Sequence, residues 1–126
     1  MQSTIIAPAT LSGSDDFGTL ETTVVGTINP SSELLNQYID SGLELAISAG
    51  DSGLTRLQES WLRRLYTTLR DTGLDPKRSE CSRSLCFDGL YQVFFALRHL
   101  YKARPGGEGT LRTLTREMQF ISRHLV

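Results

Sequence analysis

The sequence predicts an all-α fold: a compact four-helix bundle-like domain over residues 29–126, preceded by a flexible N-terminal tail at 1–28. Three observations predict it. Residues 85–101, LCFDGLYQVFFALRHLY, are apolar nearly all round when laid on a helix at about 100° per residue, leaving a polar sliver at Asp88, Gln92 and His99. Such a helix belongs in the middle of others, and with five aromatic residues it dominates the core. Three further segments repeat apolar residues at spacings of three and four, and the connections between them are short and polar. A chain of 126 residues buries enough surface to fold without metal or disulfide.

The tail is rich in Ser, Thr and Gly, with β-branched pairs at Ile5-Ile6 and Val24-Val25. Its composition leaves room for one short strand at 22–28, available to a partner chain. The first predicted helix opens at Asn29-Pro30-Ser31-Ser32-Glu33, where Asn caps, Pro suits the first helical position and Glu meets the positive helix end. It runs to about Ala49, with Gly50 as a left-handed stop. Leu34, Leu35, Tyr38, Ile39, Leu43, Leu45, Ala46 and Ile47 form its apolar arc, and Glu33, Gln37, Asp40, Glu44 and Ser48 an acidic outer face.

The second helix follows Asp51-Ser52-Gly53, with Thr55 and Gln58 as a capping box. Leu54, Leu57, Trp61, Leu62, Leu65, Tyr66 and Leu69 make its stripe. Arg56, Arg63 and Arg70 recur every seventh residue on the far side, at intervals of about 10.5 Å along one edge. Ser84 is the expected cap of the central helix, which Pro105-Gly106-Gly107 ends. Thr110 then caps a fourth helix whose seam is Leu111, Leu114, Met118, Ile121 and Leu125. Arg112, Arg116 and Arg123 line its opposite side. Phe120 falls off the seam beside them, where a lone copy leaves it wet.

Charge is divided along the chain. Residues 1–53 contain seven acids and no Lys or Arg, whereas the remainder holds all 13 basic residues against seven acids, 11 of the 13 being Arg. Arg grips carboxylates and phosphates bidentately and stacks on aromatics, so this basic half is suited to an interface. Enrichment in Leu, Ser and Arg, the residues with the most codons, is what an overlapping reading frame imposes, and suggests a small viral accessory protein. A GC-rich genome imposes the same bias.

Catalytic chemistry finds little support. Gly50-Asp51-Ser52-Gly53 resembles the segment around the nucleophilic serine of trypsin-like proteases, but no His precedes position 99, so it reads as a turn. Asp88 and His99 lie about 16 Å apart along a helix, too far for an acid–base pair. Residues 105–110, PGGEGT, lack the Lys of a phosphate loop. Cys81 and Cys86 with His99 and His124 make a poor zinc set, and reduced thiols in an intracellular protein are the expectation. Cys86 packs as a small hydrophobe. Neither a signal sequence nor a membrane span is recognisable.

The expected function is therefore non-enzymatic, with no catalytic residue, cofactor or metal. A self-associating helical protein, most simply a homodimer, binds another macromolecule through Arg56, Arg63, Arg70, Arg112, Arg116, Arg123 and Phe120, with Trp61 as a second aromatic anchor. Glu33, Asp40 and Glu44 meet the arginines of another copy. The alternative uses the same Arg rows on duplex RNA, with affinity falling steeply in salt. The spacing of Leu111, Leu114, Met118 and Phe120 resembles a leucine-rich nuclear export signal, which would add a nuclear phase to a cytoplasmic location.

Overall fold

The computed structural model describes residues 6–124, with side chains from 16 to 123. Five helices follow one another: α1 (Ile6–Gly26), α2 (Ser32–Asp51), α3 (Thr55–Leu74), α4 (Glu80–Ala103) and α5 (Glu108–His124). No strand occurs among the described residues. The all-α class is as predicted, with five helices in place of four.

The added helix is α1. Residues 22–26, where a short strand was expected, are helical. Thr22 and Thr23 turn their hydroxyls back onto the carbonyls of Gly18 and Thr19, at 3.0 and 2.8 Å, so their side chains stop competing for other backbone conformations. Phe17 and Val24, two turns apart, are fully buried. The Phe17 ring stacks on Tyr38 at 5.0 Å and stands edge-on to Trp61 at 5.4 Å. Tertiary burial supplies what local propensity lacks.

Across the bundle, α1 lies on α2 and touches α3, and α3 packs broadly against both α2 and α4. Beyond them, α4 carries α5. The interior is continuous from Phe17 through Leu35, Tyr38, Leu65 and Leu69 to Leu90, Leu97, Leu114 and Ile121. Close approach of α2 to α3 depends on Gly42, where an added Cβ would lie 2.5 Å from Leu65 Cδ1. As predicted, α4 supplies the largest share of the core: Cys86, Phe87, Leu90, Val93, Phe94, Leu97, Leu100 and Tyr101 are buried on it. Its polar sliver is wet at Asp88, Gln92 and His99, and Phe95 joins them at 56% exposure.

Several helix ends differ from expectation. The cap of α2 is Ser31, whose Oγ accepts the Leu34 N–H at 3.1 Å. Asn29 instead uses Oδ1 to accept the Ser79 N–H at 2.9 Å. No capping box forms at α3: Leu54 holds the cap position without a side-chain bond. Ser79, not Ser84, caps α4, accepting the Ser82 N–H at 3.1 Å, so the helix starts earlier. Thr110 lies inside α5. The left-handed residue after α2 is Gly53, at φ 76°, rather than Gly50. In the α4–α5 turn a Cβ on Gly107 would strike the Tyr101 carbonyl, so only glycine lets the chain fold back this tightly. Leu125 and the side chain of His124 lie outside the described residues.

Candidate cationic interface

The predicted arginine row on α3 is present as one edge of the helix, but its members have different neighbours. Arg56 is exposed at the start of α3. Arg63 is half-buried, donating from Nε to the Tyr101 hydroxyl at 3.1 Å with its guanidinium carbon 5.7 Å from the ring centre. Arg70 faces Glu117 at 3.4 Å and Asp71 at 3.0 Å and rests against the Tyr66 ring. The row was expected to lie free on the far side from the core. Two of its three members instead tie α3 to α4 and α5, because Tyr101 and Glu117 come within their reach.

Around Tyr101 this becomes a fixed polar network. The hydroxyl donates to Glu59 while accepting from Arg63, and Arg104 closes on Glu59 at 2.9 Å. Burial raises the Tyr101 phenol, and Glu59 beside it raises it further. For Glu59, burial alone would raise the carboxyl, but hydrogen bonds from Tyr101 and Arg104 and the charges of Arg104 and Arg63 outweigh it and hold the group below the usual range. Arg104 is thereby pinned at the end of α4.

From Arg104 a groove of about 810 Å³ opens between the C-terminal turn of α4 and the first turns of α5. Lys102, Arg104, Arg112 and Arg116 line it against a single acid, Glu108, and Leu111 and Pro105 contribute apolar surface. On the other side of Arg104 and Pro105, Arg56 lines a second groove with Thr55, Glu59 and Leu100. Lys102, Arg56, Arg112 and Arg116 form no ion pair among the described residues. The surface can therefore receive carboxylate or phosphate oxygens without first breaking an internal pair.

Of the residues expected to bind a macromolecule, Arg56, Arg112 and Arg116 meet around the α4–α5 turn, and Arg63 and Arg70 serve the fold. Arg123 and Phe120 are exposed on α5, Phe120 at 58%, outside the groove lining. Trp61, expected as a surface anchor, instead packs edge-on against Phe17. Sequence reading missed Lys102 and Arg104, because only the return of the chain at Gly107 sets them opposite α5.

The expected acidic set is divided too. Asp40 and Glu44 line a groove of about 580 Å³ between α1 and α2 with Asp16, and Glu33 stays exposed in the first turn of α2, outside it. No group of His, Cys, Asp and Glu among the described residues could hold a metal ion, and no helix there is long and apolar enough to cross a membrane. Both cysteines are free thiols: Cys81 is exposed, and burial pushes the Cys86 thiol up to about 11, leaving it protonated and inert. Compared with known proteins, the chain matches no family model, no curated protein and no solved structure.

Proposed function

We propose that this chain is a non-enzymatic interaction protein that takes an acidic protein surface into the cationic groove at the α4–α5 turn. One observation carries the reading: Lys102, Arg112 and Arg116, none of them in an ion pair among the described residues, line a single groove beside Arg104, with Glu108 its one lining acid. The Glu59 and Tyr101 contacts hold Arg104 in place, so little side-chain freedom is lost when a carboxylate arrives. Leu111 and Pro105 give such a partner something to bury besides charge.

The test is titration of the folded protein with an acidic polypeptide, and separately with duplex RNA, over a series of salt concentrations. The proposal expects saturable binding of the polypeptide that weakens with salt and is lost in the double variant Arg112→Glu/Arg116→Glu. Stability in that variant should shift by no more than about 0.5 kcal/mol, since both side chains are exposed. Tight RNA binding with an indifferent polypeptide would move the groove to the nucleic-acid reading. Against RNA stands the acid-only sequence of α1 and α2, which repels a long polyanion.

A further inference from the structure

Resting on the groove as a seat for acidic protein surface, we propose that its occupant is the α1–α2 flank of a second copy, so that the chain associates head to tail. Several charges are already neutralised within one molecule. Glu21 meets Arg64 at 2.8 Å, Glu59 meets Arg104 at 2.9 Å, Asp75 meets Arg78 at 3.2 Å and Glu117 meets Arg70 at 3.4 Å.

The charges lining the two grooves divide largely by sign, with Glu108 the one acid among the basic set. Asp16, Asp40 and Glu44 line the α1–α2 groove with no cation among its lining residues, and they form no ion pair among the described residues. Residues 1–53 have no Lys or Arg with which to do so. Lys102, Arg112 and Arg116 are the corresponding cations on the α4–α5 groove. One molecule cannot bring the two sets together: α1 packs only on α2 and α3, and α5 packs on α4. Neither α1 nor α2 touches α5 and the two grooves share no lining residue, so a second molecule is what can join them.

That separation points to one symmetry. A two-fold dimer needs both patches within one self-complementary interface, whereas these grooves share no lining residue and α5 touches neither α1 nor α2. The contact is therefore heterologous, and each copy that docks leaves one acidic and one basic groove open. Growth continues to a ring or a filament, in place of the homodimer that composition suggested.

The experiment is sedimentation velocity of the full chain over a concentration series at low and at high salt. The expected mass at low salt rises with concentration beyond that of a dimer and returns to one chain at high salt. Asp40→Lys/Glu44→Lys and Arg112→Glu/Arg116→Glu should each weaken association by at least roughly tenfold through like-charge contact. An equimolar mixture of the two variants should regain it, since every flank of one then opposes every flank of the other. Regained mass also shows that both variants are folded. A chain that stays monomeric at low salt, or a mass that ignores both double substitutions, overturns the inference. A monomer that still binds acidic polypeptide through Arg112 and Arg116 leaves the groove assignment standing and removes only the second copy. A monomer that binds duplex RNA there removes both.

Discussion

Arg78 holds the carbonyl oxygen of Val25 with a 2.9 Å hydrogen bond from Nη2, reaching back 53 residues. Its Nη1 donates to the Thr27 carbonyl and, at 3.3 Å, to that of Ile28. A helix ends with carbonyl groups that have no partner of their own, and here one guanidinium from the α3–α4 connection serves the Val24 and Val25 carbonyls of α1 and those of Thr27 and Ile28 just beyond it. Asp75 fixes the same guanidinium at 3.2 Å from the other side. Arg78→Lys keeps the charge but loses the planar fork that serves several carbonyls at once. Its expected cost is about 1–3 kcal/mol by urea denaturation. Amide exchange should speed up in α1 more than in α5, and an even change across all helices would contradict the clamp.

Phe17 is the side chain that attaches α1. It is wholly buried between Tyr38 and Trp61, with the Arg64 guanidinium 5.0 Å from its ring centre. Phe17→Ala should cost about 3–5 kcal/mol and shift the emission of Trp61, the sole tryptophan, to longer wavelength. Unchanged emission would mean that α1 is not seated as described.

Glu21 gives that attachment a pH dependence. Its carboxylate accepts from the Tyr38 hydroxyl at 2.7 Å, from Arg64 Nε at 2.9 Å and from the Thr68 hydroxyl at 3.2 Å. Burial alone would raise this carboxyl, but the hydrogen bonds from Arg64, Tyr38 and Thr68 with the Arg64 charge prevail and depress it. A depressed acid contributes stability above its unfolded value of about 4.3, and that contribution drains away as pH falls through the folded value. Glu59 is depressed as well and adds in the same direction. Thermal midpoints should therefore be flat near neutrality and fall below about pH 4.5. Glu21→Gln should lower the neutral midpoint and flatten the acid slope. A parallel slope in the variant would assign the acid sensitivity elsewhere.

Gly42 tests the α2–α3 contact. Alanine there favours the helix by about 1 kcal/mol. Its Cβ, however, would stand 2.5 Å from Leu65 Cδ1 and 2.6 Å from Cγ, so the whole side chain must move within a packed core. Overpacking of this kind costs about 1–3 kcal/mol, and Gly42→Ala should come out destabilising. Gly18→Ala, with open space around it, should be neutral or stabilising. The difference in denaturation midpoint between the two variants is the measurement.

The helices that could be read from sequence were those whose apolar residues recur at spacings of three and four and are numerous. Leu62, Leu65, Tyr66 and Leu69 on α3 announce their buried face, and residues 85–101 announce theirs. By contrast, the described side chains of α1 include two buried anchors, Phe17 and Val24, among threonines and glycines, and the aromatic partners of Phe17 lie on other helices. Helix starts went astray for a similar reason. Asn29 and Ser31 are both good caps, and the choice was made by Ser79, which takes the Asn29 side chain for its own N–H. Half the cationic groove was legible, since Arg112 and Arg116 share the exposed face of α5. The other half was not, because the sorting of Arg63 and Arg70 from Arg56 and Arg104 depends on the tyrosines and glutamates that receive them.

Anions gathered in the α1–α2 groove and cations in the α4–α5 groove give the molecule a charge dipole directed from one to the other. Near any highly charged surface such a body experiences a torque at distances up to the screening length and turns before it touches. Whatever it meets first, it arrives with one edge already presented and the opposite sign pointing outward.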